Sequence, residues 1–459
     1  MTASSPADTR VVITQLLRNL GSQREVDQYL KQFAALESTK FAVIKVGGGI
    51  VQEHLADLVS ALSFLARVGL YPIVIHGAGE QLTETLLAQG HTPRFVNGKR
   101  VTDAETLHQA RKVFTRVNHT LCDALEAQGT KARPIPTGVF EATPADFETM
   151  GYVGEVTDVD LEPIRSAINA GDIPVLSSLA ETRTGQLLNV NADTATRHLA
   201  KKIEPYKIIF LTPTGGLLDG EGNLISAINL AEDYAELMEK PWLTGGMRLK
   251  IQEVKQILDG LPPSSSVAIT SPLELPKELF THRGSGTLIR KGERILRFDE
   301  GLDGVDRTEL ARLLETSFGR ALVDDYFDKK DFHRIYVTES YRGAAVITRE
   351  GALAENEATV GPHIPYLDKF AVTSKAQGEG LAASLWERVR RENPKLFWRS
   401  RVDNHHINGW YFTKSDGSLR DAKWVVFWYG LEGFAEVQDC IARAFALPPT
   451  LRSHMIVET

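Results

Sequence analysis

From residue 41 onward, short apolar runs alternate with stretches whose apolar residues recur every three or four positions. The runs fall at 41–46, 72–75, 173–176, 208–211 and 267–269. That rhythm predicts an α/β domain with a mainly parallel central sheet flanked by helices. Ahead of it, Val12, Leu16, Leu17, Leu20, Val26, Tyr29, Leu30 and Phe33 stand at helical spacing, interrupted at Gly21-Ser22. This predicts a kinked amphipathic helix over 11–36 that packs outside the core.

The pattern changes at 284–300, where Gly-Ser-Gly is followed by a charged run and a fresh acidic start at Asp303. A domain boundary is expected there. Beyond it the periodicities predict a helix at 306–318 and strands at 334–338, 344–348 and 366–372. A glycine loop, a helix at 381–392, a strand at 396–401 and an aromatic strand at 424–429 follow, an α+β order. Three segments result: a helical extension at 1–36, an α/β domain at 37–292 and an α+β domain at 300–445.

Composition agrees with a globular, multidomain chain: 459 residues, 42% apolar and 24% charged. A formal charge of −7 argues against nucleic acid as the main partner. Cys122 and Cys440 are far apart, so neither a disulfide framework nor a thiolate metal site is expected, and a reducing cytoplasm is the expected compartment. No secretion signal or membrane span is expected either.

Candidate chemistry begins at Lys45, inside an apolar strand that runs into Gly47, Gly48 and Gly49. Glycines let backbone N–H groups approach phosphate oxygens, and the lysine supplies charge. Gly77, Ala78 and Gly79 repeat this logic after the strand ending in His76. Two such loops at strand C-termini point to an anion site. Farther on, Asn189-Val190-Asn191-Ala192-Asp193 reads equally as a helix-capping turn, and Thr244-Gly245-Gly246-Met247-Arg248-Leu249-Lys250 as an ordinary glycine turn.

Together, these segments resemble the N-acetylglutamate kinases of the amino-acid kinase family over residues 35–290. The resemblance implies that Lys45 and Lys250 are catalytic lysines organised by Asp193, and that Gly77, Ala78 and Gly79 form the substrate loop. Arg100 would take a substrate carboxylate, Asn189 would contact substrate, and Gly47, Gly48 and Gly49 would hold ATP, with Mg2+ on its phosphates. Two departures stand out: Ala78 replaces a glycine, and Gly245 replaces a common aspartate.

In the second domain, Gln377-Gly378-Glu379-Gly380-Leu381-Ala382 follows a strand and opens a helix. This fits the coenzyme A loop of the GCN5-type N-acetyltransferases. The runs 397–404, 408–412 and 426–430 resemble the acetyltransferase domain of vertebrate-like N-acetylglutamate synthases and their bifunctional synthase/kinase relatives. By that resemblance Gln377, Gly378, Gly380 and Ala382 bind acetyl-CoA, Lys369, Arg401 and Asn404 hold glutamate or N-acetylglutamate, and Tyr411 sits near the thioester. A tyrosine there can protonate the departing thiolate. Most of the tryptophans are expected in the core. His405-His406 is expected in a solvated loop, with no metal site.

The segment 277–287 resembles the signature of arginine-sensitive acetylglutamate kinases, which implies arginine binding at Glu278, Gly284 and Gly286 and a homo-oligomer carrying an N-terminal helix. The expected function is therefore two steps of arginine biosynthesis, acetylation of glutamate and phosphorylation of the product. Two alternatives stay open: a synthase with a non-catalytic, arginine-sensing kinase-like part, and a kinase with a vestigial acetyltransferase domain.

Overall fold

The computed structural model describes Phe33 and residues 37–96, 98–263, 265–280, 284–349, 364–376 and 380–455. The expected helix over 11–36 lies outside the described residues except for Phe33, as do Gln377 and Gly378. The chain divides into two compact units, Met1–Lys291 and Gly292–Thr459.

In the first unit, β1 (Ala42–Val46), β2 (Ile73–His76), β3 (Ala132–Ile135), β4 (Ile173–Ser177), β5 (Lys207–Leu211), β6 (Ala227–Asn229), β7 (Ser266–Thr270) and β8 (Thr287–Arg290) form one sheet. Their order is β6-β8-β7-β5-β1-β2-β4-β3, and only the β7–β8 pairing is antiparallel. Side-chain alternation along β1 sends Ile44 and Val46 to one face. There they pack with helices α2 (Leu55–Arg67) and α4 (Ala104–Ala127). Val43 joins α5 (Ala192–Ile203) on the other face. Lys45 shares parity with Val43, so the sheet itself aims it toward α5.

Parallel pairing also places both glycine loops at one edge. The first opens α1 (Gly48–Glu53) and the second opens α3 (Gly79–Ala88). Because β1 and β2 are neighbours, Gly77 N–H donates to Val46 O at 3.0 Å and Gln81 Nε2 donates to Gly48 O at 2.7 Å. A Cβ on Gly48 would stand 3.3 Å from Ala78 Cα and 2.3 Å from Gln81 Oε1, so a larger residue there would have to displace the Gln81 amide. Two further helices matter below: α6 (Gly245–Asp259) and α7 (Leu275–Phe280). Phe33 meets Phe280 of α7 edge-on, with ring centroids 5.7 Å apart.

The second unit has β9 (Ile295–Asp299), β10 (Phe332–Thr338), β11 (Gly343–Thr348), β12 (Tyr366–Val372), β13 (Leu396–Arg401), β14 (Gly417–Arg420) and β15 (Trp424–Tyr429). They order as β9-β10-β11-β12-β13-β15-β14. All pairings are antiparallel except β12 with β13, which pair only at Tyr366↔Phe397 and Leu367↔Trp398 before separating. The unit's outer strands lie outside 300–445: β9 precedes residue 300, and Leu451–Met455 pairs with Arg320–Leu322. Helices α8 (Arg307–Phe318), α9 (Leu381–Glu392), α10 (His405–Lys414) and α11 (Phe434–Ala446) complete it. Trp386 and Trp398 are fully buried. His405 opens α10 rather than lying in a loop, because Asn408 Nδ2 ties the first turn back to Arg401 O at 2.8 Å. Among the described residues no helix is long and apolar enough to cross a membrane.

Gly286 offers a test of this packing. A Cβ there would stand 2.0 Å from Ile269 O and 2.7 Å from Gly215 O, both backbone atoms. Gly286→Ala is therefore expected to destabilise the first unit by about 1–3 kcal/mol. A urea midpoint equal to wild type would show that the loop relaxes without cost.

Candidate active site

The C-terminal ends of β1 and β2, the start of α5 and a small hairpin enclose a cleft of about 280 Å³. Lys45, Gly47 and Gly48 come to its wall from the first loop, and Gly77, Ala78 and Gly79 from the second. Gly49 lies off this wall, against the Glu80 carboxylate. Ala78 has φ −141°, which any L-residue adopts, so a glycine is not required there. His76 beneath the loop is fully buried, and burial pushes its pKa down to about 4, so it is neutral. Asn118 Nδ2 lies 3.1 Å from His76 Nε2, leaving Nδ1–H to face Gly77 O at 3.4 Å.

Asn191 caps α5, its Oδ1 accepting from the N–H groups of Asp193 and Thr194, so the capping reading of this turn holds. One result of the cap is the placement of Asp193 in the first turn, near the positive end of the helix dipole. Lys45 Nζ meets Asp193 Oδ1 at 2.6 Å, with the side chains only 12% and 18% exposed. Burial works against the Asp193 carboxylate, yet Lys45 and then Lys250 outweigh it and hold its pKa below the usual carboxylate range.

Lys250, from the first turns of α6, stands outside the cleft wall but belongs to the same charge cluster. Its ammonium is 5.9 Å from the Phe210 ring centroid, and that of Lys45 is 6.0 Å from the same ring. Phe210 is the β5 residue in register with Lys45. Burial, then repulsion from Lys45, lowers the Lys250 pKa to about 8, with Asp193 offsetting only part of this. Two cations thus share one anion, leaving a local excess of positive charge.

The hairpin Phe95–Val96 and Lys99–Arg100 brings a third cation to the cleft. Arg100 Nη2 donates to Gly79 O at 2.9 Å and to Thr83 Oγ1 at 2.7 Å, and Phe95 lies 4.8 Å from the guanidinium. Nη1 is buried with no hydrogen-bond partner. A buried guanidinium N–H without a partner calls for an oxyanion. Asn189, also on the wall, donates from Nδ2 to Thr102 Oγ1 at 3.1 Å. Phe210, Phe95 and Thr83 are site residues that the motifs did not name. The position of Phe210 beside Lys45 follows from strand pairing, which one sequence does not reveal.

Beside α7, Glu278 is buried, accepting from Ser285 N–H at 3.0 Å and facing Lys207 Nζ at 3.7 Å. Gly284 packs onto this carboxylate, where a Cβ would stand 2.4 Å from Oε2. Burial lowers the Lys207 pKa, and Glu278 partly opposes this.

In the second unit, a bulge in β12 turns the adjacent side chains of Asp368 and Lys369 together, so that Lys369 Nζ meets Asp368 Oδ2 at 2.6 Å. Tyr326 OH donates to the same oxygen at 2.8 Å. Arg401 grips Asp403 through Nε and Nη2 at 2.9 and 2.8 Å, and Asn404 Nδ2 reaches Ser400 Oγ at 3.4 Å. Tyr411, on α10, is buried among Trp398, Trp410 and Phe427 near the separating strands, and burial raises its pKa. Gly380 starts α9 at φ 79°, with Ala382 in its first turn.

Two family descriptions match: amino acid kinase family over residues 40–264, and the N-acetyltransferase of N-acetylglutamate synthase over residues 297–446. Acetylglutamate kinase from Xanthomonas campestris is 51% identical, over 94% of this chain and 100% of the relative. The chain belongs to the acetylglutamate kinase family. Human mitochondrial N-acetylglutamate synthase is 33% identical over 93% of this chain and 76% of that protein. The fold is shared with N-acetylglutamate synthase from Neisseria gonorrhoeae, solved with coenzyme A and N-acetyl-glutamate, at a TM-score of 0.64 and 22% identity over 88% of this chain and 98% of that one.

The charge cluster of this family member sets a titration. Asp193 raises the Lys250 pKa, so Asp193→Asn is expected to drop it below the wild-type value of about 8. NMR of labelled lysine side chains reads this directly, and a pKa that rises in the variant contradicts the assignment.

Proposed function

We propose that this chain works in arginine biosynthesis, phosphorylating N-acetyl-L-glutamate with ATP in the first unit and acetylating L-glutamate with acetyl-CoA in the second. The observation that carries the first activity is the cluster of Lys45, Asp193 and Lys250 beside the cleft lined by Arg100 and Asn189. Phosphoryl transfer to a carboxylate spreads negative charge over the equatorial oxygens between two anionic reactants. A cluster with surplus positive charge matches that demand. Asp193 orients the lysines and takes no proton, since Lys45 and Lys250 keep it ionised.

The acceptor needs no general base, because its γ-carboxylate is already ionised near neutral pH. Arg100 Nη1 takes the acceptor's other carboxylate, and Asn189 contacts the acetamido end. The N–H groups of Gly47 and Gly48, which line the cleft, are suited to the nucleotide's phosphates. Part of the charge is neutralised by the Mg2+ carried on those phosphates.

In the second unit Gln377, Gly378, Gly380 and Ala382 would hold the coenzyme A pyrophosphate. Lys369, Arg401 and Asn404 hold glutamate, and Tyr411, kept protonated by burial, donates to the departing thiolate. The engagement of Lys369 by Asp368 and of Arg401 by Asp403 favours a second reading, a kinase with a weak acetyltransferase. Supplying glutamate, acetyl-CoA and MgATP, with each cofactor omitted in turn, separates the two readings.

In that assay Lys45→Ala or Lys250→Ala is expected to slow phosphoryl transfer about 10²–10³-fold and to spare acetyl transfer. Tyr411→Phe is expected to do the converse, through turnover more than KM. Kinase turnover near wild type in either lysine variant would refute the assigned roles.

Free arginine is proposed to bind beside α7 and inhibit. Glu278 is suited to a guanidinium, the Gly284 to Gly286 turn to a carboxylate, and Phe33 connects this helix to the N-terminal segment. Both Glu278→Ala and Glu278→Gln remove the charge beside Lys207, but Gln keeps the shape and an oxygen to accept from Ser285 N–H, so it is the cleaner variant. Arginine is expected to inhibit wild type and to lose potency about tenfold or more against the variant, the scale of one charge-assisted contact. Identical titration curves for the two proteins rule the site out.

A further inference from the structure

Helices α5 and α6 lie side by side, and each presents two charged residues to the other. On α5 these are Asp193 and Arg197, and on α6 Lys250 and Glu253, spacings that put each pair on one helix face. Arg197 Nη1 stands 3.6 Å from Glu253 Oε2, and Thr194 Oγ1 donates to Glu253 Oε1 at 3.4 Å. Neither Arg197 nor Glu253 reaches the cleft wall.

Ile251, Val254, Ile257 and Leu258 hold α6 to the core. Apolar contact is non-directional, so it fixes the helix against the sheet better than it fixes rotation about the helix axis. Rotation matters here: a side-chain tip roughly 6 Å from the axis moves about 1.5 Å for a turn of about 15°. Lys45 repels Lys250, so the aim of its ammonium is not held by its charge partners alone.

We propose that Arg197 and Glu253 form a positioning clamp that fixes the rotation of α6 on α5 and so holds Lys250 over Phe210 opposite Lys45. The inference rests on the assignment of Lys250 to phosphoryl transfer. Neither clamp residue contacts the reactants; both act through Lys250.

Glu253→Gln keeps the shape and removes the charge. It is expected to lower kinase kcat between about 10- and 100-fold, the scale set by a displacement near 1 Å. KM for acetylglutamate should stay within about twofold, because Arg100 and Asn189 are untouched. The alkaline limb of the kinase pH profile should move upward, since a looser α6 admits water to Lys250 and burial is the main cause of its low pKa. The charged groups that act on that ammonium are Lys45 from β1, which lowers its pKa, and Asp193 from α5, which raises it. The exchange Arg197→Glu with Glu253→Arg should restore at least part of the turnover, and a KM for acetylglutamate that stays near wild type reports an intact first unit.

A double-mutant cycle separates the clamp from the reading it rests on. In a Lys250→Ala background, Glu253→Gln should cost nothing further. A full additional loss in that background overturns the clamp, as does an unaltered kcat and pH profile in Glu253→Gln alone. Wild-type turnover in Lys250→Ala alone overturns instead the role of Lys250.

Discussion

The first unit depends on an unbalanced charge. Asp193 is buried, and a buried carboxylate is costly unless a cation stands beside it. Lys45 does so at 2.6 Å, and Lys250 adds a second positive charge that the same aspartate serves only in part. At an effective dielectric of about 20, unit charges about 4 Å apart interact by about 4 kcal/mol. On Lys250, repulsion from Lys45 exceeds the attraction of Asp193. Such a cluster is a poor way to stabilise a fold and a good way to receive an anion.

Each part of the scaffold serves to hold that arrangement against its own repulsion. The centre of a parallel sheet fixes Lys45 in a strand covered on both faces. Asn191 fixes the first turn of α5 and with it Asp193. Phe210 offers one ring to both ammonium groups, a partial counterweight without another full charge. Arg100 brings a third cation to the same cleft, with its Nη1 left without a partner. The second unit solves the opposite problem, because its candidate cations arrive already paired, Lys369 with Asp368 and Arg401 with Asp403.

Where local pattern carries the information, the sequence was readable. Tyr366–Val372, Leu381–Glu392, Leu396–Arg401 and Trp424–Tyr429 begin and end where their periodicity says, since each has an apolar run or stripe with glycine, proline or charge at its boundary. In β3 the sequence Ala-Arg-Pro-Ile breaks its own apolar run, and Pro134 is tolerated because β3 is an edge strand. Helix α10 was hidden because His-His-Ile-Asn-Gly-Trp-Tyr-Phe has no helical stripe and contains Gly409. The bulge that turns Asp368 and Lys369 to one side is likewise a property of strand pairing, invisible in a strand that reads as regular.

The same distinction holds for the candidate site. Lysines, glycines and the aspartate are legible as motifs because their chemistry restricts the residue type at fixed places along a strand or turn. Phe210, Phe95 and the Arg197–Glu253 contact are not, because ordinary core or surface residues acquire their place only when distant segments meet. Lys250 shows why this matters. Its type is readable from Gly245 to Lys250, but its lowered pKa is a property of the assembled cluster, of burial against Phe210 and repulsion across from Lys45. A lysine in the same motif on a loosely packed helix would keep its ordinary hydration and charge, and would lose the fixed aim that lets it meet a transferring phosphoryl group without reorganising.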